Sequence, residues 1–380
     1  MQTRASLPPD DLGTRRHNGK WVIRDHDHSA RWQPFALRDD RRAKAPTRHS
    51  AMTAAAAEPS ESDPAPGRKQ QSGGGAPAQT SLRNPEDIMP PPLTLVNGRL
   101  SDAQKTSYWD DGYLFPIPVL PATEARTLRA ELEDIESTWR DAGLPLPLNT
   151  YKRVNAHCVM PLAYRIGSDP RILDVVEGIL GPDIMIYAVE FFIKEPQTRH
   201  RVSMHQDLTY WGLGAIDGLV TAWLSLSPAT PASGCMDFVK GSHKNPILPH
   251  RDTFAEDNLL SRGQEVRVDV TDDQKTPIEI HPGQISLHHG LTIHGSGPNT
   301  TDDRRIAAVI RYCTPAVTQN VGDTDYALLA RGTDRHGHFR QFDPPSALFA
   351  PEALAIYDEI RQAQAKVMMA GTDSARGLYG

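Results

Sequence analysis

The residues best suited to do chemistry are His205 and Asp207, in Met204-His205-Gln206-Asp207. Two residues separated by one position on an extended strand point to the same face. An imidazole and a carboxylate on one face are two of the three ligands of the 2-His-1-carboxylate triad, which leaves open positions on a non-haem Fe(II). The third ligand has to come from a distant segment, since the triad approaches the metal from three directions. The segment from His281 to Gly297 carries His281, His288, His289 and His294. Spacing alone does not choose among the last three, and His288 and His289 suit core or supporting positions equally well. His294 gains weight from Gly295 and Gly297, which let the backbone come close to a bound group. Ser296 adds a hydroxyl. Farther on, Arg305 is a planar, permanent cation of the kind that grips a carboxylate bidentately. Arg305, Ala307, Val309 and Arg311 share one face by period two, and their small apolar neighbours suit a buried, paired guanidinium. Tyr210, Trp211, Gly212 and Gly214 read as a strand end opening into a pocket mouth.

Elements able to position these groups follow from the apolar pattern. Ser101 to Gln104 reads as a capping box opening a short helix. Residues 112–120 form a strand or edge segment interrupted by prolines. Leu128, Leu132, Ile135 and Trp139 recur at helical spacing, with Gly143 as the stop. Ser168-Asp169-Pro170 caps another helix that ends at Gly181. From residue 184 the pattern turns to strands: 184–194, 219–226, 236–239, 264–270, 277–280, 284–288 and 306–313. Short strands between Gly/Pro turns suggest a sandwich or barrel. Helices first and strands after suggest a mainly β core with helices packed outside. A last helix spans 349–369, with Ala353, Ile356, Ile360, Ala363 and Val367 on one face.

Composition narrows the remaining classes. The net charge of −6 gives no basic field to attract nucleic acid. No apolar run approaches the ~18 residues of a membrane span, and the first thirty residues lack a secretory apolar core. Cys158, Cys235 and Cys313 are scattered and odd in number, which fits a reducing cytoplasm rather than a disulfide framework. The mean hydropathy of −0.48 is low for a globular chain of this length. Residues 1–88 account for it. Their Ala, Glu-Pro-Ser and Gly-Gly-Gly tracts bury too little apolar surface to offset ordering entropy, so they are expected to be a disordered extension preceding a domain at 89–380. Trp21, Trp32 and Phe35 are the large apolar anchors there. Lys152, Arg153, Arg165 and Arg311 are cations that could meet an anionic substrate, with solvated surface charge as the simpler expectation for each.

From about Leu100 to Met369 the chain resembles the phytanoyl-CoA dioxygenase family of Fe(II)/2-oxoglutarate oxygenases. The resemblance rests on His205-Gln206-Asp207, Trp223 in the next strand, the run from Ser233 to His243, and His294-Gly-Ser-Gly-Pro-Asn299 followed by Arg305. It implies a double-stranded β-helix with Fe(II), 2-oxoglutarate and O2 as cofactor and co-substrates. It selects His294 as the third iron ligand beside His205 and Asp207. It assigns Arg305 to the distal carboxylate of 2-oxoglutarate, helped by Ser296, with Lys194 and Trp223 lining the same pocket. One departure is Gly283-Gln284, where the family usually has Gly-Asp. The substrate implied is a small molecule or acyl thioester. Family members that halogenate replace the triad carboxylate, so Asp207 implies oxygen insertion. The alternatives are a cupin-like metal isomerase or hydrolase without redox chemistry, and a binding domain without catalysis.

Overall fold

The computed structural model describes residues 90–260 and 262–370, together with strands Thr14–His17 and Lys20–Ile23, which pair antiparallel. The rest of the expected extension lies outside the described residues.

Helix α1 (Asp102–Asp111) opens on the expected capping box: Gln104 N–H donates to Ser101 Oγ at 3.3 Å, and Ser101 N–H to Gln104 Oε1 at 2.8 Å. Helix α2 (Ala122–Trp139) stops before the expected Gly143, which has φ +74° in the turn beyond. Two short helices had no sequence expectation, α3 (Leu148–Arg153) and α4 (Pro161–Gly167). Helix α5 (Pro170–Leu180) is capped by Asp169 and ends at Gly181, as expected. Helix α6 (Pro351–Met368) buries Ala353, Tyr357, Ile360 and Val367.

Ten strands build the core: β1 (Tyr113–Pro118), β2 (Ile184–Lys194), β3 (Val202–His205), β4 (Leu219–Ser225), β5 (Met236–Val239), β6 (Lys275–Ile278), β7 (Gln284–His289), β8 (His294–Ser296), β9 (Arg305–Cys313) and β10 (Leu328–Arg331). They form two antiparallel sheets, one ordered β10-β2-β9-β4-β7-β1 and the other β6-β5-β8-β3. The expected strand at 264–270 is shorter, Gln264–Val266, and pairs with His250–Asp252.

Alternation along β9 divides the molecule. Ile306, Ala308, Ile310 and Tyr312 point outward into the main core, with Leu132, Ile172, Val176 and Tyr357 from the helices. Ala307 and Val309 point inward, packing with Trp223 and with Met236, Phe238 and Ile278 of the opposite sheet. The fold is therefore the expected double-stranded β-helix with helices outside. Among the described residues, no helix is long and apolar enough to cross a membrane.

Candidate active site

Strands β3 and β8 are neighbours, with His205 opposite His294 in the register and their ring centroids 4.2 Å apart. Each ring is held by the carbonyl two residues back: Nδ1–H of His205 donates to Ser203 O, and that of His294 to Thr292 O, both at 2.9 Å. A carbonyl only accepts, so both Nε2 atoms are left with lone pairs. Both face Asp207, at 3.4 Å for His205 and 3.9 Å for His294.

Strand β3 stops at His205, and Asp207 begins a single 3₁₀ turn, so the two do not share a regular strand as expected. They converge nonetheless, because Gln206 between them remains extended at φ −115°, ψ 128°. Its side chain turns the other way and bonds Leu291 O, Pro246 O and Leu248 N–H. Ligand atoms of His205, Asp207 and His294 all lie within 4.8 Å of one another, and all three side chains are buried. Burial alone would raise the Asp207 carboxyl. The Arg311 guanidinium, 3.9 Å away, instead holds it well below the usual carboxylate range. Burial and neighbouring His205 push His294 well down, which keeps its ring in the neutral, ligating form.

Arg305 enters the same cavity from β9. It is 1% exposed, and its Nε and Nη2 have no hydrogen-bond partner among the described residues. Its guanidinium lies 5.2 Å from the Trp223 ring and 5.5 Å from that of Phe192. Arg305 is buried as expected, and no carboxylate of the described residues accompanies it. Burial first, and Arg153 nearby, push it down to about 9. A buried cation without an anion is costly, so this position fits an anionic ligand brought in from outside.

Ser296 and Trp223 line the cavity with Arg305. Lys194, the cross-strand partner of Arg305, does not line it. Its ammonium donates to Ser296 Oγ at 2.6 Å and to Gly297 O, so it steadies the turn that carries Ser296. Burial and the charge of Arg305 push it down to about 6.

The other histidines separate clearly. His289 faces Asp217 at 3.1 Å and accepts from Leu291 N–H, a structural role. His288 is buried with its Nε2 3.7 Å from Asp207, and neither ring nitrogen has a hydrogen-bond partner among the described residues. It lines the same cavity, with its ring centroid 4.7 Å from that of His294. Gly295 is required by a neighbouring strand rather than by a bound group: a Cβ there would lie 2.8 Å from Val202 O and 2.7 Å from Met204 Sδ. Gly297 has open space around its missing Cβ. Gln284 replaces the usual Asp of its turn without loss, since its Oε1 accepts from His281 N–H at 2.8 Å.

Of the four candidate substrate cations, only Arg165 is the exposed surface charge expected, paired with Glu131. Lys152 is buried on Glu136. Arg153 and Arg311 flank Glu190, at 3.7 Å and 2.6 Å, in a second cavity beside the first. Glu190 escaped notice because it sits inside the apolar run of β2.

A double-stranded β-helix with a His-Asp-His cluster and an unaccompanied buried arginine defines a class of metal- and oxo-acid-dependent oxygenase. The family model for phytanoyl-CoA dioxygenase (PhyH) matches residues 108–307. The probable phytanoyl-CoA dioxygenase of Caenorhabditis elegans is 26% identical over 254 residues, covering 61% of this chain and 81% of that protein. Human peroxisomal phytanoyl-CoA dioxygenase is 26% identical over 241 residues, covering 58% and 70%. Among solved structures, the apo form of ThoJ, described as a non-heme monooxygenase, aligns with TM-score 0.63 and 32% identity over 70% of this chain and 97% of its own. CytC3 with Fe(II) and alpha-ketoglutarate aligns with TM-score 0.51 at 19% identity, over 66% of this chain and 96% of its own, a likeness of fold. The chain belongs to the phytanoyl-CoA dioxygenase family. With that family it is an Fe(II)- and 2-oxoglutarate-dependent oxygenase.

Proposed function

We propose that this protein hydroxylates an unactivated C–H bond of a small molecule or acyl thioester, consuming 2-oxoglutarate and O2 and releasing succinate and CO2. The observation that carries the reading is Arg305, a buried guanidinium with no acidic partner among the described residues, facing the same cavity as His205, Asp207 and His294. A metal isomerase or hydrolase of similar fold has no use for such a cation, whereas a dianionic oxo acid requires one.

His205, Asp207 and His294 are the residues that would hold Fe(II), and the set of two imidazoles and a carboxylate suits that ion. When bound, the iron and 2-oxoglutarate supply the oxidising chemistry, and the protein supplies orientation and exclusion. Arg305 fixes the distal carboxylate of the oxo acid, Ser296 adds a hydroxyl, and Lys194 holds Ser296 in place. Trp223 and Phe192 stack near Arg305 and keep water from its charge. Ser203 O and Thr292 O fix the tautomers of the two histidines. Asp207 occupies with a carboxylate the position a halide would need, which favours oxygen insertion. The likeness to ThoJ, a non-heme monooxygenase, supports the same outcome. Cys158, Cys235 and Cys313 are buried and unpaired, which suits a reducing compartment such as the cytoplasm.

The test is to screen metabolites for stimulated succinate release by the purified, Fe(II)-loaded protein, and then to run the responding substrate under 18-O2. One heavy oxygen in the product and one in succinate is the expected result. A chlorinated product formed in the presence of chloride, or turnover that does not require 2-oxoglutarate, would overturn the reading.

A further inference from the structure

Asp207 presents its two carboxylate oxygens to different neighbours. Oδ1 faces the ligating nitrogens of His205 and His294, at 3.4 Å and 3.9 Å. Oδ2 faces three side chains of the larger sheet. Thr221 Oγ1 donates to it at 3.4 Å, His288 Nε2 lies 3.7 Å away and Arg311 Nε 3.9 Å away. These three form one row. Thr221 on β4 is in register with Arg311 on β9 and with His288 on β7, the strands on either side of it. Residues in register on adjacent antiparallel strands put their side chains on the same face. The pairing of three strands therefore aims three donors at one oxygen.

Thr221 is fully buried and His288 is 1% exposed. A side chain that only fills space at such a position is better apolar, because a buried polar atom without a partner costs free energy. His288 carries two such atoms. Neither ring nitrogen has a hydrogen-bond partner among the described residues, while the ring centroid lies 4.9 Å from that of Phe238 and 4.7 Å from that of His294. His288 also lines the cavity that holds His205, Asp207, His294 and Arg305. Its Nε2 stands just beyond hydrogen-bond range of Asp207 Oδ2. A small rotation of either group closes that gap, and a ring with its proton on Nε2 then donates to the carboxylate. Arg311 is shared with Glu190, which it meets at 2.6 Å, so Thr221 and His288 supply the donors dedicated to Oδ2.

We propose that Thr221 and His288, together with Arg311, are positioning residues that hold Oδ2 and restrict Asp207 to one metal-binding oxygen. Two imidazoles, one carboxylate oxygen and the two donor atoms of the oxo acid leave one position of an octahedral ion for O2. A carboxylate free to turn and chelate with both oxygens would close that position. The row thus keeps the place for O2 open. This rests on the oxygenase reading and adds to it the residues that preserve the last site on the metal. The competing account is that Thr221 and His288 only fill space beside the ligands.

The test uses the full-length protein loaded with Fe(II) under argon, and nitric oxide, which binds Fe(II) where O2 would. Thr221→Val and His288→Phe, combined, keep the shapes and remove the donors. Thr221→Ser and His288→Gln, combined, keep a hydroxyl and an N–H. Three affinities are measured for each protein: Fe(II) by competition with a chelator, 2-oxoglutarate by the visible charge-transfer absorption of its Fe(II) chelate, and nitric oxide by the paramagnetic resonance of its Fe(II) adduct with 2-oxoglutarate present. In the donor-free variant, nitric oxide should bind about tenfold more weakly, the usual scale for losing partners that orient a metal ligand. Fe(II) and 2-oxoglutarate should bind within about threefold of the unaltered protein, because a chelating Asp207 still leaves two positions for the oxo acid. The conservative variant should bind nitric oxide nearly as the unaltered protein does. Unchanged nitric oxide binding in the donor-free variant would overturn the proposal. So would a fall in Fe(II) affinity alone, or a common fall in all three affinities, since these mark an orienting or a space-filling role. Should the double variant not fold, His288→Phe alone is read in the same way. The 2-oxoglutarate titration of the unaltered protein tells the failures apart: if the chelate forms and nitric oxide binding does not depend on the row, only the row is wrong; if no chelate forms, the oxygenase reading falls as well.

Discussion

Arg304 and Arg305 are adjacent in sequence and opposite in surroundings. Arg304 faces outward and is held by Glu136 at 2.7 Å and Glu195 at 3.0 Å, while Arg305 is buried with no acid beside it among the described residues. Arg305→Ala should therefore raise the KM for 2-oxoglutarate by about 10- to 100-fold, the value of a charge-assisted bidentate pair. Arg304→Ala should leave that KM alone and lower the melting temperature, since it strips buried Glu136 of one of its two cations. Steady-state kinetics and a thermal melt on both variants check this, and equal effects on KM would remove the clamp role from Arg305. The metal is tested the same way. Removing His205, Asp207 or His294 should each lower Fe(II) affinity by at least about tenfold, by loss of one ligand in three. His289→Ala should retain iron, because its ring is spent on Asp217 and Leu291 N–H. Metal content after gel filtration reads this out, and iron lost from His289→Ala but kept by His294→Ala would reverse the assignment. At this scale the residue types were legible in the sequence and their selection was not. Four histidines within one segment look alike until the register sets His294, and no other histidine of that segment, opposite His205.

Strands and helices were legible in proportion to how long their pattern runs. Strand β9 showed its two faces because Arg305 to Arg311 alternate without interruption, and α5 showed both ends because Asp169, Pro170 and Gly181 punctuate it. Helices α3 and α4, of six and seven residues, are too short for a 3.6-residue period to emerge. Strand β2 is long and covered on both faces, so its apolar run concealed Glu190. Gly295 was read as freedom for a bound group, yet its neighbour is the backbone of β3, information held only in the pairing of distant strands. That closeness can be tested. In Gly295→Ala the new Cβ would sit 2.8 Å from Val202 O, a backbone atom, and β8 would have to move away from β3. His294 and His205 are carried on those two strands, so the spacing of their rings would widen. Fe(II) affinity should fall by at least about tenfold, since ligand geometry decides retention of the ion, while Gly297→Ala, with open space around it, should bind iron normally. Normal iron binding by Gly295→Ala would show that the site tolerates a wider sheet.

At the scale of the whole molecule, the residues expected to bind the metal and the oxo acid all fall within residues 194–305 of the described core. Deleting residues 1–88 should then leave the melting temperature and 2-oxoglutarate turnover nearly unchanged, and a large fall in either would mean that Trp21, Trp32 or Phe35 docks on the core. The pH dependence of stability involves the entire fold. Burial pushes His157 down to about 3 and His250 down to about 4, so both are neutral in the folded protein and take up protons when it unfolds. Their contribution is complete above the unfolded value near 6.5 and is lost as pH falls toward those folded values. Asp325 acts in the opposite sense. Burial raises its carboxyl to about 6, above the usual 3.8, although Tyr187 and Gln319 donate to it. A group raised in this way stabilises most below its unfolded value, and that stability is lost as pH rises through about 6. Two histidines with wider shifts outweigh one carboxyl, so the metal-free protein should melt lower at pH 5 than at pH 7. In Asp325→Asn the opposing group is gone, and the same fall should be steeper by a few degrees. Melting curves of both proteins across that range measure the difference directly. A fall of the same steepness in the variant would mean that Asp325 is ionised throughout, with Tyr187 and Gln319 outweighing its burial.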